Sequence, residues 1–343
     1  MAGLWREAIE RLDTICFVLQ YGFNNTCQAY AERYAQIGGF SFFTMKYTKP
    51  VLSIPDQINL LASRGLIITD QKKAEKYLSN ISYYRLSGYL YPFKDLATDN
   101  FIGNITFDEI IDLYLFDREL RLLIFDAIET IEVTFRTQLI YHPSISGGAF
   151  WFEDASNFDD VGRMNEHLAK LDEEVGRSSG EVFLKHFFNK YDEEDTPPSW
   201  IAFEVLSLGL LSKFYQNMRM SLKAKKAVAN HFGVSHPTVF QSWIRSITYV
   251  RNICAHHSRL WNRVLTNKPT LPHNPPRLWI STPPSGNDKI YYFLCCLTHM
   301  LREIQPKTTF TSRLKELFAK HPNVSKSSMG FPNNWESESF WQR

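Results

Sequence analysis

The helical period that begins at Thr106 constrains this fold more than any other stretch. Thr106-Phe107-Asp108-Glu109 is a capping box, with a hydroxyl and a carboxylate spaced to satisfy each other's free backbone amides. Behind it Ile110, Leu113, Tyr114, Leu120, Leu123, Ile124, Ala127, Ile128, Ile131 and Phe135 recur at helical spacing. Strand signals are scarce along the rest of the chain, and no internal repeat emerges. The architecture expected is all-α. Glu132 and Arg136 on this helix form a favourable i,i+4 pair. At a surface such a pair contributes only about 0.3–0.5 kcal/mol, whereas in a cleft it would orient an active-site group.

Other helices follow from caps and periods. Ser53-Ile54-Pro55-Asp56 opens one that Gly65 ends, and Asp70 caps the next. Tyr83-Tyr84-Arg85-Leu86-Ser87-Gly88-Tyr89 reads as amphipathic packing with wet phenol tips, rather than as a platform for nucleobases. A charged amphipathic segment spans Val161 to Val175. Pro198 opens an apolar helix predicted to run from Ser199 to Leu211. Its single charge, Glu204, calls for a buried basic or hydrogen-bonding partner, because an unpaired carboxylate there is costly. Lys226 to Ile244 resembles a DNA-reading helix-turn-helix, but its second helix continues to about Ala255, as a core element of a bundle would. Ile290 to Ile304 and Arg313 to Ala319 are the last helices, and the tail after Gly330 has no period.

With 343 residues, 44% hydrophobic and 22% charged, the composition is that of an ordinary globular protein. No apolar run approaches the ~20 residues that span a bilayer. No secretory leader is visible, and five cysteines lack framework spacing, so a cytoplasmic location without membrane partners is expected. Cys296-x-x-His299 alone is a poor zinc pattern. Neither a phosphate-binding glycine loop nor a G-x-S-x-G elbow appears. No metal or other cofactor is called for. Residues 1 to 44 are polar and unpatterned in their middle; they read as an extension, with translation beginning at Met45.

The net charge of +2 conceals an asymmetry. Positions 205 to 287 contain no Asp or Glu but eleven Lys or Arg and five of the ten His. The remainder holds 27 basic against 36 acidic side chains. A basic block in an acidic chain points to a polyanionic partner.

At its centre lies Tyr249-Val250-Arg251-Asn252-Ile253-Cys254-Ala255-His256-His257-Ser258-Arg259-Leu260-Trp261-Asn262-Arg263. On a continuous helix Arg245, Asn252, His256, Arg259 and Arg263 would share one face, and His257 would turn toward the apolar side as a core histidine. Histidine, with an ordinary pKa of ~6.5, exchanges protons near neutrality. Arginine clamps phosphate permanently. RNA carries its own nucleophile in the 2′-hydroxyl, so base, acid and anion stabiliser suffice for its cleavage but not for that of DNA.

These residues resemble the abortive-infection proteins of the AbiD/AbiF type. The resemblance covers about Lys49 to Trp335. It rests on Tyr83 to Tyr89, Trp200 to Gly209, Arg251 to Arg263, and Met329-Gly330-Phe331-Pro332 with Trp335. Arg251, Asn252 and His256 also match the Arg-x-x-x-x-His signature of the HEPN ribonucleases. The resemblance implies an all-α, HEPN-like bundle with an N-terminal helical subdomain (45–100), a helical core (101–320) and an irregular C-terminal arm ending in a tail (321–343).

It further implies a phage-defence effector that cleaves RNA without metal, leaving a cyclic phosphate and a 5′-hydroxyl. Catalysis would fall to Arg251, Asn252 and His256, and RNA binding to Arg245, Arg259 and Arg263. Glu132, Arg136, Glu204 and His257 would support them. A homodimer with a composite site is implied, and an antitoxin, RNA or protein, is a further candidate partner. The competing reading is a non-catalytic regulatory protein that binds RNA, or DNA through the helix-turn-helix.

Overall fold

The computed structural model describes residues 48–272, 279–281, 284 and 286–342. The extension expected over residues 1 to 44 and the start expected at Met45 lie outside them. Two compact units meet in sequence at Gln57. In the first, the Ser53 hydroxyl accepts from the Asp56 amide at 3.3 Å, fixing the entry to α1 (Ile54–Ser63).

The second unit, Ile58–Arg343, is built of helices and loops and carries no strand among the described residues. After α1 come α2 (Gln71–Ile81), α3 (Tyr83–Leu90) and α4 (Phe107–Gly147). They are followed by α5 (Val161–Arg177), α6 (Val182–Lys190), α7 (Ser199–Ala202) and α8 (Leu208–Asn217). The last four are α9 (Lys223–His231), α10 (Pro237–Ala255), α11 (Ile290–Ile304) and α12 (Phe310–Lys320). The all-α expectation holds.

Helix α4 is the spine. Its capping box is complete: the Glu109 amide donates to Thr106 Oγ1 at 3.1 Å, and the Thr106 amide donates to Glu109 Oε2 at 2.8 Å. Its 41 residues give α3, α8, α9, α10, α11 and α12 a common surface to pack on. A single apolar stripe would not serve partners on several sides. Ile110, Phe116, Leu120, Ile124, Ile131 and Phe135 are accordingly all buried.

The helix predicted over Ser199 to Leu211 is broken in two. The chain leaves α7 through a 3₁₀ turn, Phe203–Val205, and restarts as α8 behind a Ser207 cap. Arg136 compensates the break. Its Nε donates to the Phe203 carbonyl at 3.1 Å, and its Nη2 donates to the Leu206 carbonyl at 3.0 Å and to Glu132 at 3.2 Å. Glu204, expected to be buried beside a partner, is instead exposed, because the break turns it outward.

The helix-turn-helix pattern is present as α9, a turn at Gly233 and α10. Val239, Phe240, Trp243 and Ile244 of α10 are buried, so that helix is a core element. Gly233 has φ +69°, and a Cβ there would lie 2.6 Å from Glu303 Cγ and 2.8 Å from His299 Nε2. The turn is wedged against α11. The C-terminal segment is irregular in path but not loose: Met329, Phe331, Trp335, Phe340 and Trp341 are all buried. Cys254, Cys295 and Cys296 are free and buried; burial pushes the Cys254 thiol up to about 12.

Lys225 at the start of α9 is fully buried, and its Nζ donates to the carbonyls of Gln216 and Met218 at 3.1 and 2.6 Å. It thereby closes the C-terminal end of α8. Burial pulls this lysine down from 10.5 to about 8, so the folded chain releases the proton before the unfolded chain does. Between pH 8 and 10.5 this lysine makes the unfolded state bind more protons, so its own contribution to stability should rise with pH, against the opposite contribution of the buried thiols and phenols. Denaturation of the wild type and Lys225→Met at a series of pH values checks this; the stability of the wild type minus that of the variant should rise across the window.

Candidate active site

Helix α10 ends at Ala255, and its ending shapes the site. The His257 amide donates to the Cys254 carbonyl and the Ser258 amide to the Ile253 carbonyl, both at 3.0 Å. This is the double closure of a Schellman motif. The residue that must then turn left-handed is usually glycine; here it is His257, with φ +54°. His256 is the cap itself, with φ −85°.

This ending corrects the helical-wheel expectation in two ways. Arg245 and Asn252 do share an exposed face of α10, but Arg259 and Arg263 lie beyond the helix and are placed by the loop instead. His257, expected in the core, is exposed like His256, because the left-handed turn takes it off the helix axis.

The loop is held from below by a carboxylate on α4. Asp117 is fully buried and accepts the Trp261 amide at 2.6 Å, the Leu260 amide at 3.1 Å and the Tyr89 hydroxyl at 2.6 Å. Arg121, one turn along α4, donates to the same carboxylate and to Tyr89 Oη. Burial, followed by the Asp117 charge, pushes the Tyr89 phenol up, so it stays a donor. Sequence reasoning missed Asp117 and Arg121. The signal was there: Asp117 sits four residues after Leu113 and three before Leu120, at a core-facing position of the spine.

Trp261 is buried, stacks on Phe93 with ring centroids 6.3 Å apart, and donates Nε1 to the Ser325 carbonyl at 3.3 Å. Arg263 Nε donates to the Arg259 carbonyl at 2.7 Å. Helix α3 closes the other side. Arg85 Nη1 donates to the His257 carbonyl at 2.6 Å. A Cβ on Gly88 would lie 3.9 Å from Cδ and Nε of Arg259, an ordinary contact, so this face of α3 runs beside that side chain. Burial, then the neighbouring Arg263 charge, lowers the pKa of Arg259. An anion placed between the two guanidinium groups would relieve that repulsion.

Arg251 is half-buried, with its guanidinium 5.8 Å from the centroid of the Phe125 ring on α4. Its Nε is buried and has no hydrogen-bond partner among the described residues. Arg251, Asn252, His256, Arg259 and Arg263 are thus gathered at one end of α10. Glu132 and Arg136 instead serve the α7–α8 break.

Among the described residues no group of three or more His, Cys, Asp or Glu is arranged to hold a metal ion, and no helix is long and apolar enough to cross a membrane. Compared with known proteins, residues 76–262 match the profile of the Abi-like protein family. No curated protein and no solved structure matches the chain.

Proposed function

The chain belongs to the Abi-like protein family of abortive-infection phage defence, and from that premise we propose that it is a HEPN-type, metal-independent endoribonuclease. The observation that carries the reading is the end of α10. There Arg251, Asn252 and His256 stand together inside a stretch without a single acidic residue.

In the reaction, His256 takes the proton from a 2′-hydroxyl, whose oxygen attacks the adjacent phosphorus. The bond from phosphorus to the 5′-oxygen breaks and that oxygen takes a proton from water, giving a 2′,3′-cyclic phosphate and a 5′-hydroxyl, while His256 returns its own proton to solvent. Arg251 holds the non-bridging oxygens as charge builds, and Asn252 orients the phosphate. Arg245, Arg259 and Arg263 track the flanking backbone. Two protomers meet through Leu122, Phe125 and Val133, apolar side chains of α4 that are exposed in one chain. Phe125 carries Arg251, so this contact would bring the two sites together. An antitoxin, RNA or protein, would restrain the activity in healthy cells.

Purified protein incubated with cellular RNA in EDTA should generate cyclic-phosphate ends. Arg251→Ala should lower the rate about 10²–10³-fold, the usual loss of one oxyanion donor. Wild-type protein that leaves RNA intact, or that cuts only when a divalent ion is restored, sinks the reading.

A further inference from the structure

The tyrosine cluster of α3 is only partly accounted for by packing. Leu86, Tyr89 and Leu90 are buried, and Tyr89 is committed to Asp117. Tyr84 is 53% exposed, although its helix is pressed against the site. Arg85 beside it holds the His257 carbonyl, and Gly88, one turn further along the stripe that Tyr84 occupies, lies against Arg259. The exposed phenol therefore stands on the α3 face that adjoins the His256–Arg259 loop. In the ribonuclease reading the arginines there hold backbone phosphates, and a nucleotide held by its phosphate needs somewhere to put its base.

We propose that Tyr84 is a base-stacking platform of this site, and that the site takes single-stranded RNA with an unpaired base beside the held phosphate. The proposal rests on the ribonuclease reading for the identity of the ligand. An aromatic ring stacks any base by its π-face, so the platform selects for strandedness rather than sequence. A base-paired duplex keeps its bases stacked on one another and cannot offer one to Tyr84. Arg85 contributes by fixing α3 against the loop, not by touching the base.

The test uses full-length His256→Ala protein, in which bound RNA stays intact, and single-stranded oligoribonucleotides carrying 2-aminopurine. This parent should bind them and quench the fluorescent base. Adding Tyr84→Ala should weaken binding about 5- to 150-fold and abolish the quench. Tyr84→Phe should keep both, and duplex of the same sequence should bind equally poorly to all three proteins. Thermal melts verify that the variants are folded.

Unchanged affinity and quench in Tyr84→Ala, or a phenylalanine variant that fails like the alanine one, overturns the platform. A protein that binds and quenches, but whose His256-intact form cuts no RNA, overturns the ribonuclease reading and leaves the platform standing. A parent that binds no RNA overturns both.

Discussion

Asp117→Ala is expected to cost about 3–5 kcal/mol of folding stability, the usual penalty when one partner of a buried ion pair is removed. Four donors converge on that carboxylate: two backbone amides, a phenol and a guanidinium. Arg121 would be left as an unpaired buried charge, and the amides of Leu260 and Trp261 would lose their acceptor. Asp117→Leu with Arg121→Met should recover part of the loss by removing that charge, while the two amides remain unsatisfied. Tyr89→Phe deletes one donor and should cost only about 1 kcal/mol. Urea denaturation of the four proteins provides the comparison. A cost below 1 kcal/mol for Asp117→Ala would mean that the loop is held elsewhere.

The second large effect separates the adjacent histidines. His256→Ala should reduce RNA cleavage by 10²–10⁴-fold, the range for loss of a general acid or base, with little change in stability. His257→Gly should do the reverse. Its backbone is left-handed with φ +54°, a conformation glycine adopts without strain, so stability should rise by about 1 kcal/mol and cleavage should persist. The bond from Arg85 survives this change because it is made to the His257 carbonyl. Cleavage rates and denaturation midpoints measured on the same preparations decide the matter. Equal loss of cleavage in both variants would mean that His257 also takes part.

What could be read from residues alone follows from how local each signal is. The capping box at Thr106, the Asp70 cap and the periods of α4, α10 and α11 depend on near neighbours in sequence, and the structure carries them where the pattern put them. The motif stretch was visible for the same reason. Its shape was not. A wheel drawn through Arg263 assumes that the helix continues, whereas α10 stops at Ala255 without glycine or proline to announce it. The broken helix at Phe203 was hidden similarly, because its freed carbonyls are satisfied by Arg136 from a distant part of the chain. Asp117 is the clearest case. Its charge stood out on a core-facing position, but which amides it would accept from depends on tertiary packing.

That long reach sets an order of events during synthesis. Asp117 leaves the ribosome 143 residues before Leu260, whose amide it will accept. At ~5–20 residues per second the interval is on the order of ten seconds. Trp261 in turn waits for Ser325, a further 64 residues on. The loop that follows the paired histidines is thus among the last parts of the molecule to be tied down. A chain interrupted before residue 260 has the acid with Tyr89 and Arg121 but neither of the loop amides it is to hold.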